Sequence, residues 1–130
     1  MLEGGDELNQ ITEKIIGCAY KVAEKLGAGF LEKVNENALV HELRKTGLKV
    51  QQQYPVPVSY DGVLVGDFVA DLLVEGQVLV ELKTVRALDD AHMAQCINYL
   101  AATGLTICLL INFGNRVDVK RVMGKAKNIF

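Results

Sequence analysis

The chain has 130 residues, half of them hydrophobic and 23% charged, with a net charge of −2. That is enough for a single domain over residues 1–130 whose core needs neither disulfides nor a structural metal. It excludes a disordered or low-complexity chain, and net charge alone argues against a general nucleic-acid coat protein.

Met1 to Glu7 is acidic and contains glycine, unlike the basic start of a signal peptide. Leu8, Ile11, Ile15, Cys18, Val22 and Leu26 recur at spacings of three and four, which predicts an amphipathic helix ended by Gly27-Ala28-Gly29. A second helix is expected from about Phe30 to Lys45, closed by Gly47. Val50 to Tyr60 reads as extended, and Pro55 and Pro57 place it at a sheet edge. Asp61-Gly62 is a two-residue hairpin signal leading into a strand from Val63 to Val74. Glu75-Gly76 then turns the chain into Gln77 to Lys83, completing an antiparallel meander.

Ala87 to Thr103 is helical again, with Asp89 and Asp90 in its first turn and Gly104 at its end. Leu105 to Phe113 is nearly all apolar, as a strand buried on both faces should be, and is far too short to span a bilayer. Strand, helix and strand in this order imply a right-handed parallel crossover. A last strand runs from about Val117 to Val122. From Gly114 onward five bases face one acid, a local +4 that could contact phosphates or simply be solvated. The expected fold is α/β: a mixed sheet, antiparallel meander plus parallel crossover, flanked by helices. Cys18, Cys96 and Cys108 sit among apolar neighbours and read as buried free thiols of a cytoplasmic protein, with no zinc site and no membrane segment.

The strands hold polar residues where a core strand should not. Side chains alternate along Val78-Leu79-Val80-Glu81-Leu82-Lys83, so Glu81 and Lys83 share a face. On the preceding strand the same alternation puts Asp67 and Asp71 on one face. If the hairpin has a three-residue loop, Asp71 lies opposite Glu81; a two-residue loop would place it opposite Val80, on the wrong face. Two carboxylates and a lysine on one face are costly without compensation, and the excess negative charge suits a hard divalent cation such as Mg²⁺. On the second helix Glu32 and Glu36 share a stripe with Leu39 and Leu43, and on the third Gln95 and Tyr99 stand four apart beside the apolar stripe. The chemistry this set suits is metal-assisted phosphodiester hydrolysis. Asp71, Glu81 and the helical acids would hold the ion, Lys83 would orient water and stabilise charge on the phosphorane, and Gln95 and Tyr99 would position phosphate or water.

Plainer roles stand beside these. Glu81 and Lys83 could form a structural ion pair, and Glu32 could serve the dipole of its helix, which makes Glu36 the preferred ligand. Tyr99 could be a core residue. His92 reads more naturally as a surface or capping histidine than as a base. His41 reads as structural, and Asp67 either supports the site or is solvated.

The blocks Gly29-Phe30-Leu31-Glu32, Asn35-Glu36-Asn37-Ala38-Leu39, Ala70-Asp71-Leu72-Leu73-Val74, Val80-Glu81-Leu82-Lys83, Gln95-Cys96-Ile97-Asn98-Tyr99 and Leu110-Ile111-Asn112-Phe113-Gly114 together resemble the GxxExxY proteins. These are a small bacterial and archaeal family usually placed in the PD-(D/E)XK nuclease superfamily. The resemblance covers nearly the whole chain, with Asn35 standing where the family has its tyrosine. It implies a restriction-endonuclease-like core and Mg²⁺-dependent DNA cleavage, with Mn²⁺ as a substitute ion. In it Asp71, Glu81 and Lys83 match the core motif, Glu32 or Glu36 the helical acid, and Gln95 and Tyr99 a motif of the recombination-nuclease branch.

The leading expectation is a nuclease of repair, recombination or mobile-element defence, cutting DNA. Having no separate recognition domain, it would draw specificity from shape, a partner or homodimerisation. The alternative is a non-catalytic nucleic-acid- or protein-binding regulatory module on the same fold, which would be free to lose the acids and the lysine that this chain keeps. A hydrolase of another phosphorylated ligand ranks below both, because the chain has no Gly-rich phosphate loop.

Overall fold

The computed structural model describes residues 4–124; Lys125 and Lys127 of the basic tail lie outside them. Helices α1 (Gly4–Leu26), α2 (Glu32–Lys45) and α3 (Asp90–Thr103) flank strands β1 (Val50–Tyr60), β2 (Val63–Val74), β3 (Val78–Lys83), β4 (Ile107–Asn112) and β5 (Asp118–Met123). The sheet order is β1-β2-β3-β4-β5. β3 and β4 are parallel and joined through α3, and the other neighbours are antiparallel. The expected mixed sheet is therefore present. β1 is an edge, as Pro55 and Pro57 require.

The helix starts differ from the periodic reading, α1 already being helical at Gly4, ahead of Leu8. α2 begins at Glu32, because Gly29 is left-handed (φ 98°) and Leu31 is extended. α3 begins at Asp90, because Asp89 is its extended N-cap. Asp89 Oδ1 accepts the His92 backbone N–H at 3.1 Å, and His92 Nδ1 accepts that of Asp89 at 3.1 Å. His92 thus closes a reciprocal cap and takes up donors that the helix leaves unpaired.

Two apolar layers enclose the sheet. α1 and α2 pack Ile15, Val22, Leu39 and Leu43 on Leu72, Val80, Leu82 and Leu109. α3 packs Cys96, Tyr99 and Leu100 on Ala70, Leu73, Leu79 and Leu110. The three cysteines are free and buried. β4 is buried throughout, as its apolar run requires. Buried Glu42 ties α2 to α1 through ion pairs with Lys21 and Lys25, and pairs with Lys45 of its own helix. Among the described residues no helix is long and apolar enough to cross a membrane.

Candidate active site

The turn Glu75-Gly76-Gln77 has three residues, with Glu75 and Gly76 left-handed (φ 54° and 65°). It sets Leu72 opposite Val80 and Val74 opposite Val78, so continuing the register brings Asp71 to Glu81. The backbone ladder stops one step short of that pair, and the side chains complete it. Glu81 Oε1 accepts the Asp71 backbone N–H at 2.8 Å, and Asp71 Oδ2 accepts the Leu82 backbone N–H at 2.7 Å. Each carboxylate is fixed by a main-chain donor of the opposite strand. Among the described residues neither Asp71 Oδ1 nor Glu81 Oε2 has a hydrogen-bond partner, and no unpartnered side-chain polar atom is sealed from solvent. Neither oxygen is fully sealed from solvent, although Glu81 as a whole is only 4% exposed.

On the other side of β2 the strands also change course. Gln53 of β1, in register with Asp71 of β2, has φ 56° and drops out of the ladder between Gln52–Leu72 and Tyr54–Ala70. Leu72 packs under α1 and α2, yet Ala70, two residues before it, packs under α3 with Leu73. The strand thus exchanges its faces at Asp71, as an irregular strand can and a regular one cannot. Simple alternation put Asp67 on the Asp71 face; the exchange breaks that relation, and Asp67 is exposed.

The opening between β2 and β3 collects groups from both layers. Glu36 of α2 is 2% exposed and accepts from Lys33 Nζ (3.0 Å), Gln52 Nε2 (2.7 Å) and Gln53 Nε2 (3.1 Å to each oxygen). Glu32, one turn earlier, is partly buried, and among the described residues no hydrogen bond or ion pair engages its carboxylate. From the α3 side Gln95 Nε2 donates to Tyr99 Oη at 3.1 Å, and that hydroxyl reaches the Val69 carbonyl at 3.5 Å. Tyr99 belongs to the core and also faces the carboxylates: burial raises its pKa first, and Glu81 and Asp71 raise it further.

The charges are unbalanced. Burial, and next the Asp71 carboxylate, push Glu81 up to about 8, against the relief given by the Asp71 N–H and Lys83. Asp71 is raised by burial and by Glu36, with the Leu82 N–H and Lys83 opposing. Glu32 is raised by burial and then by Asp71. Among the described residues Lys83 forms no ion pair, so the structural Glu81–Lys83 pair is not made. Nor does any group of three acids, histidines or cysteines among them meet the geometry of a metal cage. The donor set still fits Mg²⁺, which is commonly held by one or two carboxylates with water and substrate oxygens supplying the rest.

Asn112 escaped the sequence reading. It is 3% exposed at the end of the apolar β4. Its Oδ1 accepts the N–H groups of Val85 (2.9 Å) and Gly114 (3.1 Å), and its Nδ2 donates to the Val85 carbonyl at 2.8 Å. It fastens the loops that follow Lys83 and Phe113. A lone amide ending an apolar strand was the available signal. Gln52 and Gln53 were missed as well, because three consecutive glutamines read as ordinary strand polarity.

A family model described as the PD-(D/E)XK nuclease superfamily matches residues 9–122. The chain belongs to that superfamily. Membership upholds the expected fold, and nucleases of this superfamily generally use divalent metals. The narrower GxxExxY likeness rests on the sequence blocks alone. The fold is similar to that of several solved structures. One, described as SSO0001, is 15% identical with a TM-score of 0.57, covering 73% of this chain and 52% of the other. The alkaline exonuclease LHK-Exo from Laribacter hongkongensis is 14% identical with a TM-score of 0.54, covering 96% and 73%. LHK-Exo in complex with dAMP is 15% identical with a TM-score of 0.55, covering 83% and 68%. The chain thus spans about half the length of the first of these. It matches no curated protein.

Proposed function

We propose that the chain is a Mg²⁺-dependent nuclease acting on DNA, with Asp71, Glu81 and Lys83 at its centre. The observation that carries this reading is the reciprocal fixing of Asp71 and Glu81, which leaves one oxygen of each without a protein partner among the described residues, beside an unpaired lysine. A divalent ion bound there supplies Lewis-acid polarisation of the phosphate and eases deprotonation of water. Asp71 and Glu81 would hold the ion, their other oxygens being already fixed by backbone donors. Glu32 adds a carboxylate from α2, and Glu36 stands behind it in the grip of the glutamines. Lys83 Nζ orients the attacking water and donates to the phosphate oxygen that gains charge. Gln95 and Tyr99 place the phosphate from the α3 side. A structural neighbour seen with dAMP, a deoxynucleotide, supports DNA as the substrate.

The test is cleavage of labelled single-stranded, duplex and branched DNA with Mg²⁺ or Mn²⁺, by wild type and Asp71→Ala. Ion-dependent cutting that the substitution abolishes is the expected result. Cutting that survives Asp71→Ala, or none on any substrate with either ion, refutes the reading.

A further inference from the structure

Two adjoining cavities form a groove along the surface. A cavity of about 980 Å³ is lined by Tyr20 of α1, by Asn112 at the end of β4, and by Arg86, Asn115 and Arg116 of the two loops after β3 and β4. A second cavity of about 480 Å³ shares Arg86 and Asn115 with it and is also walled by Leu31 and Thr84. Leu31 and Thr84 are the chain neighbours of Glu32 and Lys83, and the first cavity reaches Tyr20, Ala23 and Glu24 of α1.

The walls are rigid where it matters. Asn112 holds both the N–H and the carbonyl of Val85, next to Arg86, and the Phe113 N–H donates to the Lys83 carbonyl at 2.7 Å. The loops approach so closely that a Cβ on Gly114 would collide with the Val85 carbonyl oxygen. Arg86 and Arg116 are exposed, and among the described residues neither forms an ion pair, although Glu24 and Asp118 line the same cavity. Those acids cancel the net field, so the groove does not work as a diffuse polyanion sink. It suits a ligand held by a few directed contacts. Tyr20, 54% exposed, lines the same cavity as the arginines. Two free guanidiniums and one ring are the combination that grips phosphates and stacks an unpaired base.

We propose that this groove binds single-stranded nucleic acid leading away from the scissile phosphate, with Arg86 and Arg116 on the backbone and Tyr20 under a base. The proposal rests on the nuclease reading only for the direction of the strand.

The experiment is fluorescence anisotropy of a labelled 12-nucleotide DNA strand, and of the matching duplex, on the full chain in EDTA, where nothing is cut. Arg86→Ala and Arg116→Ala should each weaken single-strand binding about tenfold and flatten the salt dependence by about one phosphate contact. Tyr20→Ala should weaken it by about fivefold or more, Tyr20→Phe should restore it, and duplex binding should not respond to either. Melting temperatures of all four variants should stay at the wild-type value. Wild-type affinity and salt slope in the double arginine variant overturn the proposal. So does a Tyr20→Ala effect of equal size on duplex. Cleavage separates the two readings: groove variants should raise KM with kcat within about twofold, whereas Asp71→Ala removes kcat. If wild type cuts nothing while the binding pattern holds, the nuclease reading fails and the groove stands.

Discussion

Glu81 takes the backbone N–H of Asp71, and Asp71 takes that of Leu82, so the two acids replace the ladder that β2 and β3 abandon at this point. The arrangement keeps two carboxylates together in a place where their charges oppose folding.

That opposition makes stability fall with rising pH. Glu81 holds its proton more tightly folded than unfolded, so its contribution is complete below the ordinary value of 4.5 and is lost as pH rises through about 8. Asp71 and Glu32 are shifted the same way and add to the loss, whereas Glu42 is lowered and matters only at the acid end. Thermal melts without divalent ions should show a declining Tm across this window, and Mg²⁺ should flatten the decline. Asp71→Asn keeps an oxygen for the Leu82 N–H and removes the opposing charge. Its Tm should therefore exceed that of wild type near pH 8 and converge with it near about pH 4. A Tm that rises between those pH values in wild type contradicts the account.

The loop staple should be costly to cut. Asn112→Leu leaves the Val85 N–H and carbonyl and the Gly114 N–H without their partner, at about 1–3 kcal/mol for each group that stays buried. Gly114→Ala adds a methyl where the Val85 carbonyl already sits, for about 1–3 kcal/mol of overpacking. Urea unfolding measures both, and a loss below about 0.5 kcal/mol in either would show that the loops can separate freely.

Gln53 combines strain with a polar task. A non-glycine residue at φ 56° costs about 1–2 kcal/mol, and its amide holds the Glu36 carboxylate. Gln53→Gly should leave stability unchanged or raise it by up to about 1 kcal/mol while lowering cleavage and Mn²⁺ affinity. Equal loss of stability and activity would assign Gln53 to the fold alone.

His92 should matter to α3 and not to chemistry. His92→Ala should cost about 0.5–1 kcal/mol, and Asp89→Ala about 1 kcal/mol, with cleavage rates held within about twofold. A large drop in kcat for His92→Ala would contradict the capping role.

Much of this was legible in the residues. Period, proline and glycine positions marked every element, and alternation within β3 put Glu81 and Lys83 together. The Asp71–Glu81 register was conditional on the length of one turn, and the left-handed Glu75 and Gly76 resolve it. The face exchange at Gln53 and Asp71 was not legible, because alternation presumes a regular strand and nothing in Gln51-Gln52-Gln53 announces a positive φ. The engagement of Glu36 by Gln52 and Gln53 depends on that exchange and was hidden with it. Asn112 was visible only as a lone polar residue, since its partners lie in a loop 27 residues away.

The most direct test of the centre separates holding the ion from using it. Lys83→Ala and Asp71→Ala should be compared by Mn²⁺ calorimetry and by DNA cleavage on the same samples. Lys83→Ala should bind Mn²⁺ as wild type does and cut at least about a hundredfold more slowly, and Asp71→Ala should neither bind nor cut. Wild-type cleavage by Lys83→Ala, or undiminished Mn²⁺ binding by Asp71→Ala, would contradict these roles.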